Sequence, residues 1–306
     1  MMDIQIIIPV CNPDVKFLQL LDMLQKQCVS NLSVLIIDSG CQHEWVEALA
    51  GRDGFVVERI PNREFNHGGT RLMGMAMFPH KDVYVFLTQD AILTDEYSLE
   101  RLIRCFADAE VGCAYGRQLP QEGAGFFGRI ARLHNYGTES YVRSLADAKA
   151  HGLKTCFISN SYAAYRREAM EAVGGFPVNT ILSEDMCVAA KMLLGGWKIA
   201  YAADACVYHS HDYTIGQEFK RYFDIGVFHA REHWIRDTFG QAEGEGMRFV
   251  QRELQEIFHA NPLLLLEMIV RDGMKFLGYR LGLQERWIPL WLKRHISMMK
   301  RYWESE

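Results

Sequence analysis

"DVYVFLTQDAIL", residues 82–93, is the stretch whose reading decides the fold. Val83 to Leu87 is an apolar run of strand length, rich in β-branched and aromatic residues. It stops abruptly at Thr88, Gln89 and Asp90. A carboxylate at the end of a buried strand can bind a metal, contact a ribose or cap the next element. Asp90 alone does not choose among them. The choice rests on what the neighbouring strands carry at the same edge.

Working outward, strands and helices alternate. "IQIIIPV" (4–10), "LSVLIIDSG" (32–40) and "FVVERI" (55–60) read as strands. "DVKFLQLLDMLQKQ" (14–27), "HEWVEALAG" (43–51), "GGTRLMGMAMF" (68–78) and "SLERLIRCFADA" (98–109) read as helices. Such alternation predicts a mostly parallel sheet with helices on both faces. Strands that are apolar throughout suit a sheet buried on both sides. Ligands of such sheets bind beyond the carboxyl ends of the strands. Those ends carry "PVCN", Asp38, "NREFNHGGTR" and "TQDA", so polar groups converge on one edge.

Beyond residue 115 the alternation loosens. Residues 118–152 read as an irregular, glycine-containing excursion on the substrate side. "KTCFISNSYAAYRR" (154–167) returns as a strand, and "REAMEAVGGF" as a helix closed by glycine. "SEDMCVAAKMLLGG" (183–196) reads as a helix with Ser183 at its N-cap. "WKIAYAADACVYHSH" reads as strand and loop. From about 215 the pattern is wholly helical.

Composition narrows the class. Net charge is −5 and the pI about 6.1, which argues against a nucleic-acid partner. None of the eight cysteines forms a CxxC pair. That argues against structural zinc or a disulfide framework, and for a reducing cytoplasm. The opening "MMDIQIIIPV" lacks the layout of a signal peptide. No uncharged apolar run is long enough for a spanning helix.

Several residues could carry chemistry. Asp38 and Asp90 end neighbouring strands. Glu184 and Asp185 open a helix, where acids also complement the dipole, or where a general base could face a cleft. His209 and His211 in "VYHSHDY" would share one side of a strand. With a carboxylate they form a mixed oxygen–imidazole set that suits Mg²⁺ or Mn²⁺. "FNHGGTR", with Asn66 and Arg71, has the makings of an anion-binding helix start.

Taken in order, "IIIPVCNP", "VLIIDSGC", "FNHGGTRLMGMA", "FLTQDA", "YRREAMEAVGGF" and "SEDMCVAAKMLLGGWKIAYAADACVYHSH" resemble family 2 glycosyltransferases of the GT-A fold. "FNHGGTR" with "FLTQDA" looks most like bacterial dTDP-L-rhamnose-dependent rhamnosyltransferases. The resemblance implies an inverting transferase moving L-rhamnose from dTDP-L-rhamnose to a glycan or lipid-linked glycan of a cell-surface polysaccharide, such as O-antigen or capsule. It implies a catalytic domain over 1–214, with a nucleotide part to about 117 and an acceptor part beyond, followed by a helical region over 215–306. Asp38 would bind the base near the backbone of Pro9 and Val10. Asn66 and Arg71 would lie close to the donor. Thr88, Gln89 and Asp90 would stand in place of the DxD motif, with Thr88 and Gln89 free to meet a ribose or sugar hydroxyl. Asp90, His209 and His211 would hold the metal. Asp185 would be the general base, and Glu184 would support the acceptor. "QEFKRYFD" (217–224) only loosely matches the QxxRW of processive synthases, so a non-processive enzyme is expected.

In the C-terminal third, "WIPLWLKRHISMMKRYW" (287–303) reads as a basic, Trp-bearing helix. It would pack on the catalytic domain or a second subunit, or lie on the inner membrane surface. Competing readings are a transferase of another nucleotide sugar and a non-catalytic sugar-nucleotide-binding protein. A nucleotidyltransferase lacks its glycine-rich signature here, and an oxidoreductase lacks GxGxxG.

Overall fold

The computed structural model describes residues 2–40, 49, 52–240 and 243–304. The helix expected from "HEWVEALAG" falls almost wholly outside them. In chain order the strands are β1 (Ile4–Val10), β2 (Val34–Asp38), β3 (Phe55–Arg59), β4 (Val83–Leu87), β5 (Ile92–Leu93), β6 (Val111–Leu119), β7 (Tyr141–Arg143), β8 (Tyr162–Arg166) and β9 (Lys198–Tyr208). The helices of the first two thirds are α1 (Val15–Gln25), α2 (His67–Ala76), α3 (Ser98–Arg104), α4 (Phe126–Asn135), α5 (Ala148–His151), α6 (Arg167–Val173) and α7 (Glu184–Leu194). They are followed by α8 (Ile215–Arg231), α9 (His233–Phe239), α10 (Glu243–Ala260), α11 (Leu265–Leu283) and α12 (Leu290–Ile296).

The strands form one sheet in the order β3-β2-β1-β4-β8-β6-β9-β5, with β7 also on β9. The first four are parallel neighbours. β8 is antiparallel to both β4 and β6, while β6 and β9 pair in parallel. β1 shows why this half needs no polar face. Ile7 packs into one core, while Ile6 and Ile8 pack into the other with Phe17, Leu20 and Leu24 of α1. Period-two alternation therefore serves two apolar layers at once.

Two departures from the sequence reading matter for the site. The segment expected to be irregular carries β7 and follows β6, which runs through Leu119 and so delivers Gln118 to the strand-end edge. The strand expected over 154–167 is confined to Tyr162–Arg166, preceded by a 3₁₀ turn over Gly152–Cys156. The intervening residues, Ser159 and Asn160 among them, form a loop beneath the site.

The helix expected over 287–303 is broken. α12 spans only Leu290–Ile296, with Pro289 at its N-cap and a separate 3₁₀ turn at Lys300–Glu304. Trp303 is fully buried, and its ring packs near Phe223 of α8. Asp224 accepts from Ser297 Oγ at 2.6 Å and from Met298 N at 2.8 Å. Arg301 donates to the carbonyl of Asn62 at 2.6 Å. The end of the chain is thus anchored on the sheet domain, and Trp303 belongs to the core rather than to an outer apolar face.

α8 and α11 pack backbone to backbone. A Cβ at Gly282 would collide with the carbonyl of Phe223, and one at Gly278 with that of Phe219. Gly226 meets Tyr279 and Gly282 in the same way. Gly282→Ala should destabilise the chain by about 1–3 kcal/mol through overpacking. Denaturant unfolding would measure it, with the exposed Gly273→Ala as a control of near-zero or stabilising effect.

Candidate active site

Asp90 follows β4, and β9 ends at Tyr208, one residue before His209. Both histidines sit in the loop after Tyr208, where the strand-and-loop reading of that segment puts them. Their rings are 4.6 Å apart and converge on Asp90. His209 Nε2 is 3.5 Å from Asp90 Oδ1, and His211 Nδ1 is 3.9 Å from Oδ2. One ligand atom from each of the three residues lies within 4.8 Å of the others.

The tautomer of His209 follows from its surroundings. Arg132 Nη1, which can only donate, reaches Gln118 Oε1 at 2.8 Å. The opposite end of the amide, Nε2, donates to Ser159 Oγ at 2.9 Å. Gln118 Oε1 is therefore an acceptor, and His209 Nδ1, 2.8 Å away, must be the donor. In neutral His209 this leaves the Nε2 lone pair facing the Asp90 carboxylate. Two acceptors at that separation call for a cation between them. Burial alone would raise the Asp90 carboxyl; with the His209 ring protonated instead, its Nε2–H and charge, followed by His211 and the Thr88 hydroxyl, bring that carboxyl well below the usual carboxylate range. Burial and the neighbouring His209 push His211 down to about 4, so its lone pair stays available at neutral pH. The donor set fits a divalent ion such as Mg²⁺ or Mn²⁺.

The acid pair, Glu184 and Asp185, opens α7. Ser183 precedes it in the left-handed region, φ 58°, and makes no side-chain cap. Asp185 is half-buried and accepts from Asn160 N at 3.0 Å and Met186 N at 2.8 Å. Burial and the adjacent Glu184 charge push its carboxyl up to about 7, against those two N–H donors. Glu184 is buried, which would raise its carboxyl too. Arg71 at 3.0 Å, His67 and the Asn160 amide at 3.0 Å bring it below the ordinary value instead.

Four expected donor or acceptor contacts are spent within the protein. Arg71 is 4% exposed and its guanidinium pairs with Glu184, so it lies under the site rather than beside a diphosphate. Glu184 is closed off by the same pair and does not face an acceptor. Asn66 caps α2 through Gly69 N at 2.8 Å and donates to Val178 O at 2.9 Å. Gln89 closes a two-bond ring with the Cys11 backbone, at 2.8 and 3.2 Å, extending the β1–β4 pairing by one side chain. Its amide is engaged there instead of standing free for a ribose. At the neighbouring strand ends, Asp38 Oδ1 accepts from Gly40 N at 2.9 Å, and the Val10 carbonyl accepts twice from Ser39. Pro9 lies in register with Ile37, next to the Val10–Asp38 pair.

Sequence reasoning missed the residues that hold these groups. Gln118, Arg132, Ser159 and Asn160 carry no motif, and only the fold brings them together. It also missed Lys16, whose Nζ donates to Gln121 Oε1 at 2.6 Å while Gln121 Nε2 donates to the Asp90 carbonyl at 3.0 Å. Lys16, Gln121, Ser210, His211, Tyr213 and Gln217 line a cavity of about 430 Å³ next to the histidines. Lys16 had no signal beyond its place in the first turn of α1.

Gln118→Leu, which removes the acceptor for His209 Nδ1–H, should weaken Mn²⁺ binding about 10–100-fold. Gln118→Glu keeps an acceptor and should bind Mn²⁺ much as the native chain does. Electron paramagnetic resonance of free Mn²⁺ would measure both; equal affinity in the Leu variant would remove the tautomer argument.

Comparison with known proteins gives the family and the fold. Residues 85–294 match the family described as glycosyl transferase family group 2. The chain is 43% identical over 99% of its length to the O-antigen chain rhamnosyltransferase RfbN of Salmonella typhimurium, covering 97% of that protein. It is 46% identical over 92% of its length to the O-antigen chain rhamnosyltransferase WbaN of Salmonella anatum, covering 89% of it. Among solved structures, the fold is similar to the mannosyltransferase PcManGT of Pyrobaculum calidifontis, solved with GDP-Man and Mn²⁺. The TM-score is 0.60 at 18% identity, over 99% of this chain and 85% of that one. It is also similar to residues 1–349 of S. aureus TarS, with TM-score 0.58 at 14% identity, over 99% and 89% of the two chains. The family match over residues 85–294 and the two relatives at 43% and 46% identity show a glycosyltransferase, and the chain belongs to glycosyl transferase family group 2.

Proposed function

We propose that this glycosyltransferase moves L-rhamnose from dTDP-L-rhamnose to a lipid-linked glycan in O-antigen synthesis, with inversion at the transferred carbon. Identity of 43% over nearly the whole chain to a protein named an O-antigen chain rhamnosyltransferase carries the choice of sugar. In this reading the nucleotide part covers residues 1 to about 117 and the acceptor part about 118–214. Residues 215–306 complete the fold around them. The enzyme works in the cytoplasm, at the inner face of the membrane that holds the acceptor.

Asp185 is the general base. Its carboxylate takes the proton from the acceptor hydroxyl as that oxygen bonds to C1 of the donor sugar. The C1–O bond to phosphate breaks, and its electron pair leaves with the nucleoside diphosphate. Attack from the face opposite the leaving group inverts C1, as in inverting glycosidases with a sugar in place of water. A divalent cation on Asp90, His209 and His211 would neutralise charge developing on the diphosphate. Lys16 adds a positive charge in the adjoining cavity. Asp38 and the backbone at Pro9 and Val10 hold the base. Glu184, Arg71 and Asn66 are positioning residues: they fix α7 and the loop of Val178 rather than touching the substrates.

Asp185→Asn should lower turnover by about 10²–10⁴ while leaving donor binding close to native. Release of dTDP with and without acceptor reports turnover, and thermal shift across a panel of nucleotide sugars reports binding. Full turnover by the variant would overturn the base assignment. Stabilisation by UDP- or GDP-sugars but not by dTDP-L-rhamnose would overturn the donor.

The raised Asp185 carboxyl also sets a pH profile. The ionised form is the active one, so kcat/KM should rise with pH and level off above about 7. Glu184→Gln removes the adjacent negative charge and should move that rise to lower pH. A profile identical to native would show that the rise belongs to another group.

A further inference from the structure

We propose that the outer face of α11 is a docking surface for an anionic lipid bilayer, in place of the 287–303 segment as a single helix. Leu266, Ile269, Val270, Phe276 and Leu277 are all exposed, with Leu266 at 72% and Phe276 at 65%. Their spacing of three and four residues places them on one stripe, which Gly273 continues and Arg280 ends. With Leu263, 87% exposed on the preceding turn, the stripe runs about 20 Å along the helix. The opposite face is the one the fold uses: Met268, Lys275, Gly278, Tyr279 and Gly282 are buried. That inner face carries Arg271 and Lys275, both paired with Glu218, whereas the outer stripe is apolar and exposed. Contiguous exposed apolar surface of this kind marks an interaction site.

Charge selects the occupant. Exposed ionised residues from 277 to 304 are five cations, Arg280, Arg286, Arg294, Lys300 and Arg301, against one acid, Glu304. This excess sits on a chain whose net charge is −5. Arg294 and Arg301 donate to the Trp303 and Asn62 carbonyls, which leave their charge unneutralised. A second copy seated on the stripe about a two-fold axis would bring the same cations against one another. An anionic lipid surface would complement them. Trp287 and Trp291, 75% and 64% exposed, stand in the segment that follows directly, and tryptophan favours the headgroup level. No described helix is long and apolar enough to cross a membrane, so the contact is interfacial.

The surface is tied to the site. Arg271 of α11 donates to the Tyr213 carbonyl at 2.8 Å, and Tyr213 lines the cavity beside His211. Docking through α11 would therefore hold at the membrane the same helix that anchors Tyr213 beside the cavity.

Flotation of the full chain with vesicles tests this without donor or acceptor, so its outcome is separate from that of the sugar assignment. The chain should float with phosphatidylcholine vesicles containing phosphatidylglycerol and stay behind with phosphatidylcholine alone. Binding should fall as salt rises, and tryptophan emission should shift to the blue on binding. The pairs Phe276→Ser with Leu277→Ser, and Arg280→Glu with Arg286→Glu, should each weaken binding at least about tenfold. Their melting temperatures should stay near native, because these side chains lie outside the packed face. No flotation with anionic vesicles, or native binding by both pairs, would overturn the proposal. So would a dimer, seen by light scattering, that the serine pair dissociates while vesicles remain unbound.

Discussion

The buried pair of Arg71 and Glu184 is the contact on which the base side depends. Two adjacent carboxylates at a helix start repel each other, and burial sharpens the repulsion. Arg71 settles the contest by holding Glu184 ionised, which leaves the cost of charge on Asp185. One acid becomes a fixed anion and the other a proton acceptor poised near neutrality. The arginine comes from α2, on the crossover between β3 and β4, and the acids come from α7, more than a hundred residues later. The helix after the third strand therefore has a role that no local motif would suggest. Losing one partner of a desolvated pair of this kind typically costs about 3–5 kcal/mol.

The loop at Ser159 and Asn160 joins this base side to the metal side. Ser159 accepts from Gln118, which orients His209. Asn160 donates from its backbone to Asp185 and from its side chain to Glu184, and accepts from Tyr165 at 2.8 Å. Two neighbouring residues thus hold both His209 and Asp185, the proposed metal ligand and the proposed base. An inverting displacement needs those two groups on opposite sides of one carbon, with their separation held constant. A single peptide unit is a short and stiff ruler for that purpose.

The sequence was most legible where one residue type does one job. β1, β2, β3 and β4 were readable from apolar runs, and so were the positions of Asp90, His209 and His211 beyond strand ends and of Asp185 at a helix start. It was least legible where a polar side chain has several possible partners. Arg71, Asn66 and Gln89 look like ligand contacts because arginine and amides often are. The fold gives each a nearer partner: Glu184, the turn at Gly69 with Val178, and Cys11. Glu184 looked half-available beside Asp185 because sequence cannot show an arginine beneath it. Gln118 and Arg132 escaped notice because β6 reads as fading at residue 115, whereas pairing with β9 carries it to Leu119. The terminal segment misled for a related reason. Its apolar spacing fits one helix, but Pro289 and the Ser297–Asp224 bond divide it, and Trp303 turns inward.

The glycine contacts between α8 and α11 have a mechanical consequence. Helices separated by side chains can slide, because rotamers absorb small displacements. Here Gly226, Gly278 and Gly282 set backbone against backbone, and no rotamer is available to yield. α8 begins just after the histidines, and α11 reaches back to Tyr213 through Arg271. The Tyr213 ring lies 5.3 Å from that of His211. The α8–α11 pair therefore acts as a strut: a tilt imposed on α11 arrives at His211 with little loss along the way.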